Sequence, residues 1–311
     1  MIKGTVLKGL GGLYTVRLDQ EYNGLTEVSV RGRGSFRHDK LVLLTGDRVI
    51  LEPQADGSYF CKEILERKNS LIRPPLANLD IIFVVIPCKK PMPSFEIIDK
   101  MIAIAEHNKI DPVILITKAD LDGDFAQNVK RIYENSGFTA LVTSSESQEG
   151  VGTVREYLKS RAVNEAPICA FAGVSGAGKS TLMNAIFPTL CLETGDLSQK
   201  IERGKNTTRH TELFSLSQLF GEEYKGYLAD TPGFSLLDFE RFDFFGLEDL
   251  FNNFRDFRAS EGRCKYTKCS HTKEEGCDVL SRVKRGEIEK TRHESYCALY
   301  EILKKKPSWK K

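Results

Sequence analysis

At 311 residues, with 41% hydrophobic and 28% charged residues and a formal net charge of +2, the chain is expected to fold throughout, as two or three domains. That charge excludes a uniformly basic nucleic-acid-coating protein. No apolar run approaches the roughly 20 residues that span a bilayer, and MIKGTVLKGLGG lacks a signal peptide's apolar core, so a cytoplasmic protein without a membrane partner is expected.

Residues 1–70 read as short alternating strands: Tyr14, Val16 and Leu18, then Leu41 and Leu43, Val49 and Leu51, Tyr59 and Cys61, separated by turn signals such as Gly46-Asp47 and Asp56-Gly57. The pattern predicts a small antiparallel barrel, of the OB type or another of similar size. Arg31, Arg33 and Arg37 crowd a Gly-rich stretch here, and Lys304 to Lys306 with Lys310 and Lys311 form a second basic run. Each is either a phosphate contact or a solvated loop.

Ile72-Arg73-Pro74-Pro75 interrupts regular structure, and a second segment, 71–235, follows. Its apolar runs at 81–86, 113–116, 140–142 and 168–172 do not alternate, as expected of parallel strands buried on both faces. Helix-spaced stretches lie between them at 96–108, with Ile97, Ile98, Met101, Ile102 and Ala105 on one face, and at 125–135. This βα alternation predicts a doubly wound sheet. Residues 236–311 form a third segment, aromatic, charged and mainly helical, in which Phe251, Phe254 and Phe257 recur at helical spacing as core positions.

Gly173-Val174-Ser175-Gly176-Ala177-Gly178-Lys179-Ser180 satisfies the phosphate-loop pattern G-x-x-x-x-G-K-[ST] between a predicted strand and a helix opening at Thr181. Its glycines let backbone N–H groups face phosphate, Lys179 reaches the β and γ oxygens, and Ser180 holds magnesium. Asp230-Thr231-Pro232-Gly233, at another strand end, offers a carboxylate that reaches magnesium through water and a Gly233 N–H that senses the γ-phosphate. Thr117-Lys118-Ala119-Asp120 resembles the [NT]-K-x-D motif of GTPases. There Asp120 accepts from guanine N1–H and the 2-amino group, which adenine lacks, while Lys118 lies along the ring. Ser144-Ser145, with Glu149-Gly150, resembles the loop that contacts the guanine oxygen.

These base-reading motifs precede the phosphate loop, whereas a conventional GTPase has them after it, so a circular permutation is expected. Cys264, Cys269, His271 and Cys277 form C-x4-C-x-H-x5-C, a ligand set for one structural zinc. Cys61, Cys88, Cys169 and Cys191 are expected as plain reduced thiols, and His293 and Cys297 as core or surface residues outside the cluster.

Barrel, permuted GTPase and C-terminal cysteine segment together resemble the ribosome small-subunit-dependent GTPase A family (RsgA), over essentially the whole chain. Arg203-Gly204-Lys205-Asn206-Thr207-Thr208-Arg209-His210 looks like the family's first switch. The resemblance implies Thr208 on magnesium, partners in GTP, GDP and the 30S subunit with its rRNA, and subunit-stimulated hydrolysis in late 30S maturation, by a protein monomeric when free. Three positions depart from the usual pattern. Asn206 stands where the family has a histidine that positions water, leaving Asn206 or His210 for that task. Phe234 stands where many GTPases carry a water-orienting glutamine, which the family also lacks, and Thr117 replaces an asparagine that ties the base loop to the phosphate loop. The alternatives are a nucleotide-gated rRNA-binding checkpoint with incidental hydrolysis, and a permuted GTPase of the large subunit.

Overall fold

The computed structural model describes residues 1–32, 42–72, 74–190, 211–230 and 244–305. Each of its two compact units is assembled from separated stretches: Met1–Ile81, Glu156–Phe171 and Leu197–Phe234 in one, Ile82–Arg155, Ala172–Asp196 and Ser235–Lys311 in the other. Strands β1 (Ile2–Leu10), β2 (Leu13–Tyr22), β3 (Leu25–Gly32), β4 (Arg48–Pro53) and β5 (Tyr59–Ile64) close into a barrel in the order β1-β2-β3-β5-β4. Pairing is antiparallel except between β3 and β5, which run parallel, and β4 closes onto β1. This is the five-stranded OB arrangement. The alternating Val16, Leu18, Val49, Leu51, Tyr59 and Cys61 point into its core.

Among the described residues, no strand forms at Leu43. Leu43 joins the barrel core from a non-strand segment, and Leu41 lies outside the described residues. The reason is Asp47, fully buried, whose carboxylate accepts the Leu44 N–H at 2.7 Å and Arg67 at 2.6 and 2.8 Å. Its own N–H donates to the Leu44 carbonyl at 3.1 Å, so the segment closes as a turn instead of extending. Beyond the barrel, β6 (Ser70–Leu71) and β7 (Leu76–Ala77) make a short hairpin around the predicted break.

Six further strands form one sheet: β8 (Ile81–Pro87), β9 (Asp111–Thr117), β10 (Thr139–Val142), β11 (Ile168–Ala172), β12 (Glu212–Ser215) and β13 (Tyr227–Asp230), in the order β10-β9-β8-β11-β13-β12. β9 with β10 and β11 with β13 run parallel, and β12 is an antiparallel edge. Every residue of β8 and β11 is buried, which is why these runs do not alternate. Helix α1 (Phe95–His107) starts where the Ser94 hydroxyl accepts the Ile97 N–H, and α2 (Gly123–Asn135) where the Asp122 carboxylate accepts that of Phe125. Of the predicted α1 face, Ile98, Met101, Ile102 and Ala105 are buried and Ile97 is exposed. Helices α3 (Val151–Asn164), α4 (Lys179–Ile186) and α5 (Leu216–Phe220) complete the α/β layer.

Past residue 244 the described chain has 3₁₀ turns at Leu247–Asp249 and Arg255–Ser260, turns and bends over 261–277, then α6 (Asp278–Lys284) and α7 (Lys290–Lys305). Phe254 and Phe257 are core as expected, but from turns and a 3₁₀ segment, whose three-residue period aligns the same positions. They pack with Leu250, Tyr296 and Leu299 against Ala103 and Ile104 of α1. A buried charge cluster fixes this packing. Arg292, with no exposed surface, donates to Asp99 of α1 at 2.6 Å and to Asp256 at 2.9 Å, and the Tyr133 hydroxyl donates to the same Asp99 oxygen at 3.0 Å. Among the described residues no helix is long and apolar enough to cross a membrane.

Removing the cation would leave two buried carboxylates unpaired, so Arg292→Met is expected to lose about 3–5 kcal/mol. In hydrogen exchange, amides of α7 and of Arg255–Ser260 should lose protection before those of β8 and β9. Exchange unchanged from wild type throughout would show that the apolar contacts alone hold this segment.

Candidate nucleotide and metal sites

The phosphate loop begins where fully buried β11 ends. At Gly173 an added Cβ would lie 2.7 Å from the Val85 carbonyl oxygen, so the strand can pass β8 this closely only with glycine. Gly176 and Gly178 hold φ of 75° and 91°, turning successive peptides before α4 begins at Lys179. Ser175, Gly176 and Thr181 are exposed, while Ala177 is buried. Lys179 Nζ donates to the carbonyls of Gly173 at 2.7 Å and Val174 at 2.9 Å, so the ammonium is tethered across its own loop. Burial lowers its pKa to about 8.

The 117–120 motif is joined directly to this loop. Thr117, at the end of β9, is buried, and its hydroxyl donates to the Ala177 carbonyl at 2.7 Å. Threonine in place of the usual asparagine thus still ties the base loop to the phosphate loop, through one hydroxyl. Lys118, in the left-handed region with φ 59°, donates from Nζ to the carbonyls of Gly176 at 2.8 Å and Lys90 at 2.6 Å. Asp120 is exposed, and one of its carboxylate oxygens accepts the hydroxyl of fully buried Ser144 at 2.5 Å. Ser144 is itself held by its N–H on the Glu149 carbonyl at 2.9 Å and by the Ser147 N–H on its hydroxyl at 3.1 Å. Gly150 closes that loop, since a Cβ there would sit 2.0 Å from the Val142 carbonyl oxygen. Ser145 is half-buried beside it.

Asp230 ends β13 opposite Glu212, and burial, reinforced by the Glu212 charge, raises its pKa. Asn206, Thr208, His210, Gly233 and Phe234 lie outside the described residues, as do Arg33, Arg37, Cys191 and the lysines from 306 onward.

The four C-terminal ligand atoms lie within 4.8 Å of one another. A tetrahedral cation with metal–sulfur bonds of about 2.3 Å places its sulfurs about 3.8 Å apart. Here the Cys264 and Cys277 sulfurs are 3.9 Å apart and stand 3.5 and 3.6 Å from His271 Nδ1. Burial and neighbouring thiols push Cys269 up to about 12, a penalty that a bound cation removes by taking thiolates. The Asp278 N–H points at Cys264 Sγ at 3.4 Å, and the His271 ring stacks on Phe251 at 4.7 Å. The residues present thus fit a closed, four-ligand cation.

Several residues that shape these sites escaped the sequence. The Lys90 carbonyl that receives Lys118 carries no side-chain signature. Arg155, which donates to the Ala185 and Ile186 carbonyls at 3.1 Å and caps the phosphate-loop helix, carries none either. Glu274 was more legible, as a carboxylate inside the ligand loop. It accepts the N–H groups of Ser270, Thr272 and Lys273 at 2.9, 3.2 and 3.1 Å, and the Ser270 hydroxyl. Burial alone would raise its pKa, but these hydrogen bonds hold it at about 2. His293, outside the ligand cluster as expected, donates through Nε2 to the His271 carbonyl at 2.8 Å.

Residues 3–58 match the RsgA N-terminal domain, and residues 64–240, more than half of the chain, match the RsgA GTPase. The chain belongs to the RsgA family. A small ribosomal subunit biogenesis GTPase RsgA of Enterococcus faecalis is 39% identical to it, with 100% of this chain and 98% of the relative covered. The Bacillus subtilis protein of the same description is 36% identical, over 99% of this chain and 100% of the relative. Among solved structures, YjeQ from Thermotoga maritima is 30% identical with a TM-score of 0.80, covering 98% of this chain and 99% of that one. YloQ, described as a circularly permuted GTPase, is 34% identical with a TM-score of 0.76, covering 99% and 98%. This RsgA chain accordingly has the permuted GTPase fold behind an OB-like barrel.

Two outcomes follow for this RsgA chain. Phosphate needs Lys179 charged, and its free-state pKa is about 8, so nucleotide binding takes up a proton as pH rises through that value. GTP affinity should stay nearly flat below pH 7 and fall about tenfold between pH 7 and pH 9, with proton uptake visible by calorimetry in buffers of different ionisation enthalpy. Separately, Glu274→Gln should lower metal affinity by about 10–100-fold, measured by competition with a chromogenic chelator, since the ligand loop loses the carboxylate that organises three of its N–H groups.

Proposed function

We propose that this chain binds GTP and hydrolyses it during biogenesis of the small ribosomal subunit, with the assembled 30S particle stimulating turnover. The observation that carries the reading is the double tie of Thr117 and Lys118 to the Ala177 and Gly176 carbonyls. It makes a guanine reader and a phosphate loop into one site in permuted order. Family membership and the descriptions of full-length relatives support the ribosomal context.

In this reading Asp120 accepts from guanine, Ser144 and Ser145 frame the base, and Lys118 lies along its ring. Gly173 to Thr181 wrap the phosphates, Lys179 compensating their charge. Ser180 and Thr208, with Asp230 through water, would hold magnesium, which would neutralise charge on the phosphates. Gly233 senses the γ-phosphate. Asn206 orients water by hydrogen bonding, since an amide cannot take its proton, and intrinsic turnover is correspondingly slow. Cys264, Cys269, His271 and Cys277 hold one structural zinc, the cation that best suits a closed set of three thiolates and an imidazole. The working protein is a cytoplasmic monomer, with an rRNA-binding barrel at 1–70, a GTPase segment at 71–235 and a zinc segment at 236–311.

The test is turnover with purified subunits. Addition of 30S particles should raise GTP hydrolysis several-fold, and a non-hydrolysable GTP analogue should support binding to 30S and not to 50S particles. A flat rate would turn the protein into a nucleotide-gated checkpoint, and 50S binding would move it to the large subunit. Asp120→Asn should shift preference from guanine towards xanthine nucleotides, read by competition with a fluorescent nucleotide; undiminished GTP binding would remove Asp120 from base reading.

A further inference from the structure

The strand that leaves the 203–210 motif is fastened to the barrel. Thr211, immediately before β12, is 6% exposed, and its carbonyl accepts the Thr45 hydroxyl at 3.1 Å. One residue on, Glu212 takes Lys8 of β1 at 2.6 Å. Across the β12–β13 ladder Glu212 stands opposite Asp230, and Leu213 opposite Ala229. All these residues belong to one compact unit.

Thr45 is a fixed anchor. Its carbonyl accepts the Ala77 N–H at 2.9 Å, while the next residue, Gly46, donates its N–H to the Val6 carbonyl at 2.8 Å and accepts Asn78 Nδ2 on its own carbonyl at 2.9 Å. Gly46 has φ 88°, and a Cβ there would lie 2.2 Å from the Ala77 carbonyl oxygen, so the backbone passes β7 at the closest approach a residue allows. The Asp47–Arg67 pair closes the same turn from the other side. The hydroxyl offered to Thr211 therefore comes from a point tied to β1, to β7 and to Arg67.

The two contacts differ in weight. Lys8 and Glu212 are 49% and 39% exposed, and such a pair contributes little in water. The Thr211 carbonyl is buried, and loss of a buried acceptor's partner costs the full desolvation of that group. Thr45 thus carries the attachment, with Lys8 as a lesser second point.

We propose that Thr45 is a positioning residue for stimulated GTP hydrolysis: it locks β12, and with it Asp230 on the paired strand, to the barrel, so that a ribosomal subunit gripping the barrel acts on Asp230. The proposal rests on the reading of the chain as a subunit-stimulated GTPase. It assigns the barrel a part in turnover beyond docking, through one buried hydroxyl.

The test compares wild type, Thr45→Val, which keeps the shape and loses the donor, and Thr45→Ser, which keeps the donor. In the stimulated reaction Thr45→Val should lower kcat about tenfold while the half-saturating 30S concentration stays within about threefold, and Thr45→Ser should recover most of the rate. In the free protein, exchange at the 212–215 amides should rise in Thr45→Val and not in Thr45→Ser, a readout independent of turnover. Wild-type kcat in Thr45→Val overturns the proposal, as does a loss confined to 30S affinity or one that Thr45→Ser shares. Absence of stimulation in wild type itself would instead overturn the functional reading, with the exchange arm still reporting whether Thr45 holds β12.

Discussion

A loop that turns its N–H groups towards an anion turns carbonyls the other way, and those carbonyls need donors. In this chain the Gly176 and Ala177 carbonyls find them in Lys118 and Thr117, about sixty residues earlier in sequence. Most of the described nucleotide site depends on that constraint. It fixes the end of β9 against the loop, and so places the turn that bears Asp120. The constraint also explains why threonine serves where asparagine is usual: the requirement is one donor at one carbonyl, which a hydroxyl meets at 2.7 Å. Lys118 does double service, its second acceptor being the Lys90 carbonyl, while Lys89 reaches back to the Leu121 carbonyl at 3.0 Å and Asp122 at 3.3 Å. Two neighbouring loops are thereby clasped by reciprocal lysines.

That second loop leads into α1, and α1 is also where the C-terminal segment is held. Asp99 pairs with Arg292, and Glu106, nearly buried, receives Arg255 and Arg258 at 2.6 Å each. Asp99 and Glu106 are seven residues apart and so share a helix face. Buried ion pairs add less net stability than their short distances suggest, because each charge must first be taken out of water. They penalise misplacement strongly, however, since a displaced Arg292 would strand two carboxylates. The apolar contacts supply stability and the charges supply register. A metal at the cysteine cluster would add the remaining constraint to a segment whose own core is thin.

Much of this was legible in the sequence because it rests on residue type at fixed spacing. The alternation of Val16 with Leu18 and of Val49 with Leu51 gave the barrel, the unbroken run in β8 gave a doubly covered strand, and the four ligands declared themselves by chemistry. What the sequence concealed depends on backbone groups or on single side chains with several possible uses. Leu43 reads as a strand position, yet Asp47 offers the Leu44 N–H a better partner and turns the backbone there. Phe254 and Phe257 fit a helix by period, and a 3₁₀ segment satisfies the same period. The Lys90 carbonyl and the Thr45 hydroxyl bear no signature at all, since any residue has a carbonyl and most threonines are unremarkable.

The reversed motif order has a mechanical consequence that differs from the one chain order alone suggests. By sequence, Asp230 and Gly233 precede the metal-bearing segment, which makes a covalent readout of nucleotide state the obvious route. The contacts describe a different division. Within one unit the base reader, phosphate loop and metal segment are joined through Lys118, the Lys89–Lys90 loop and α1; within the other, the barrel is joined through Thr45 to the strand that leaves the first switch motif. On the proposed reading, a partner gripping the metal segment would bear on nucleotide holding, and one gripping the barrel on Asp230.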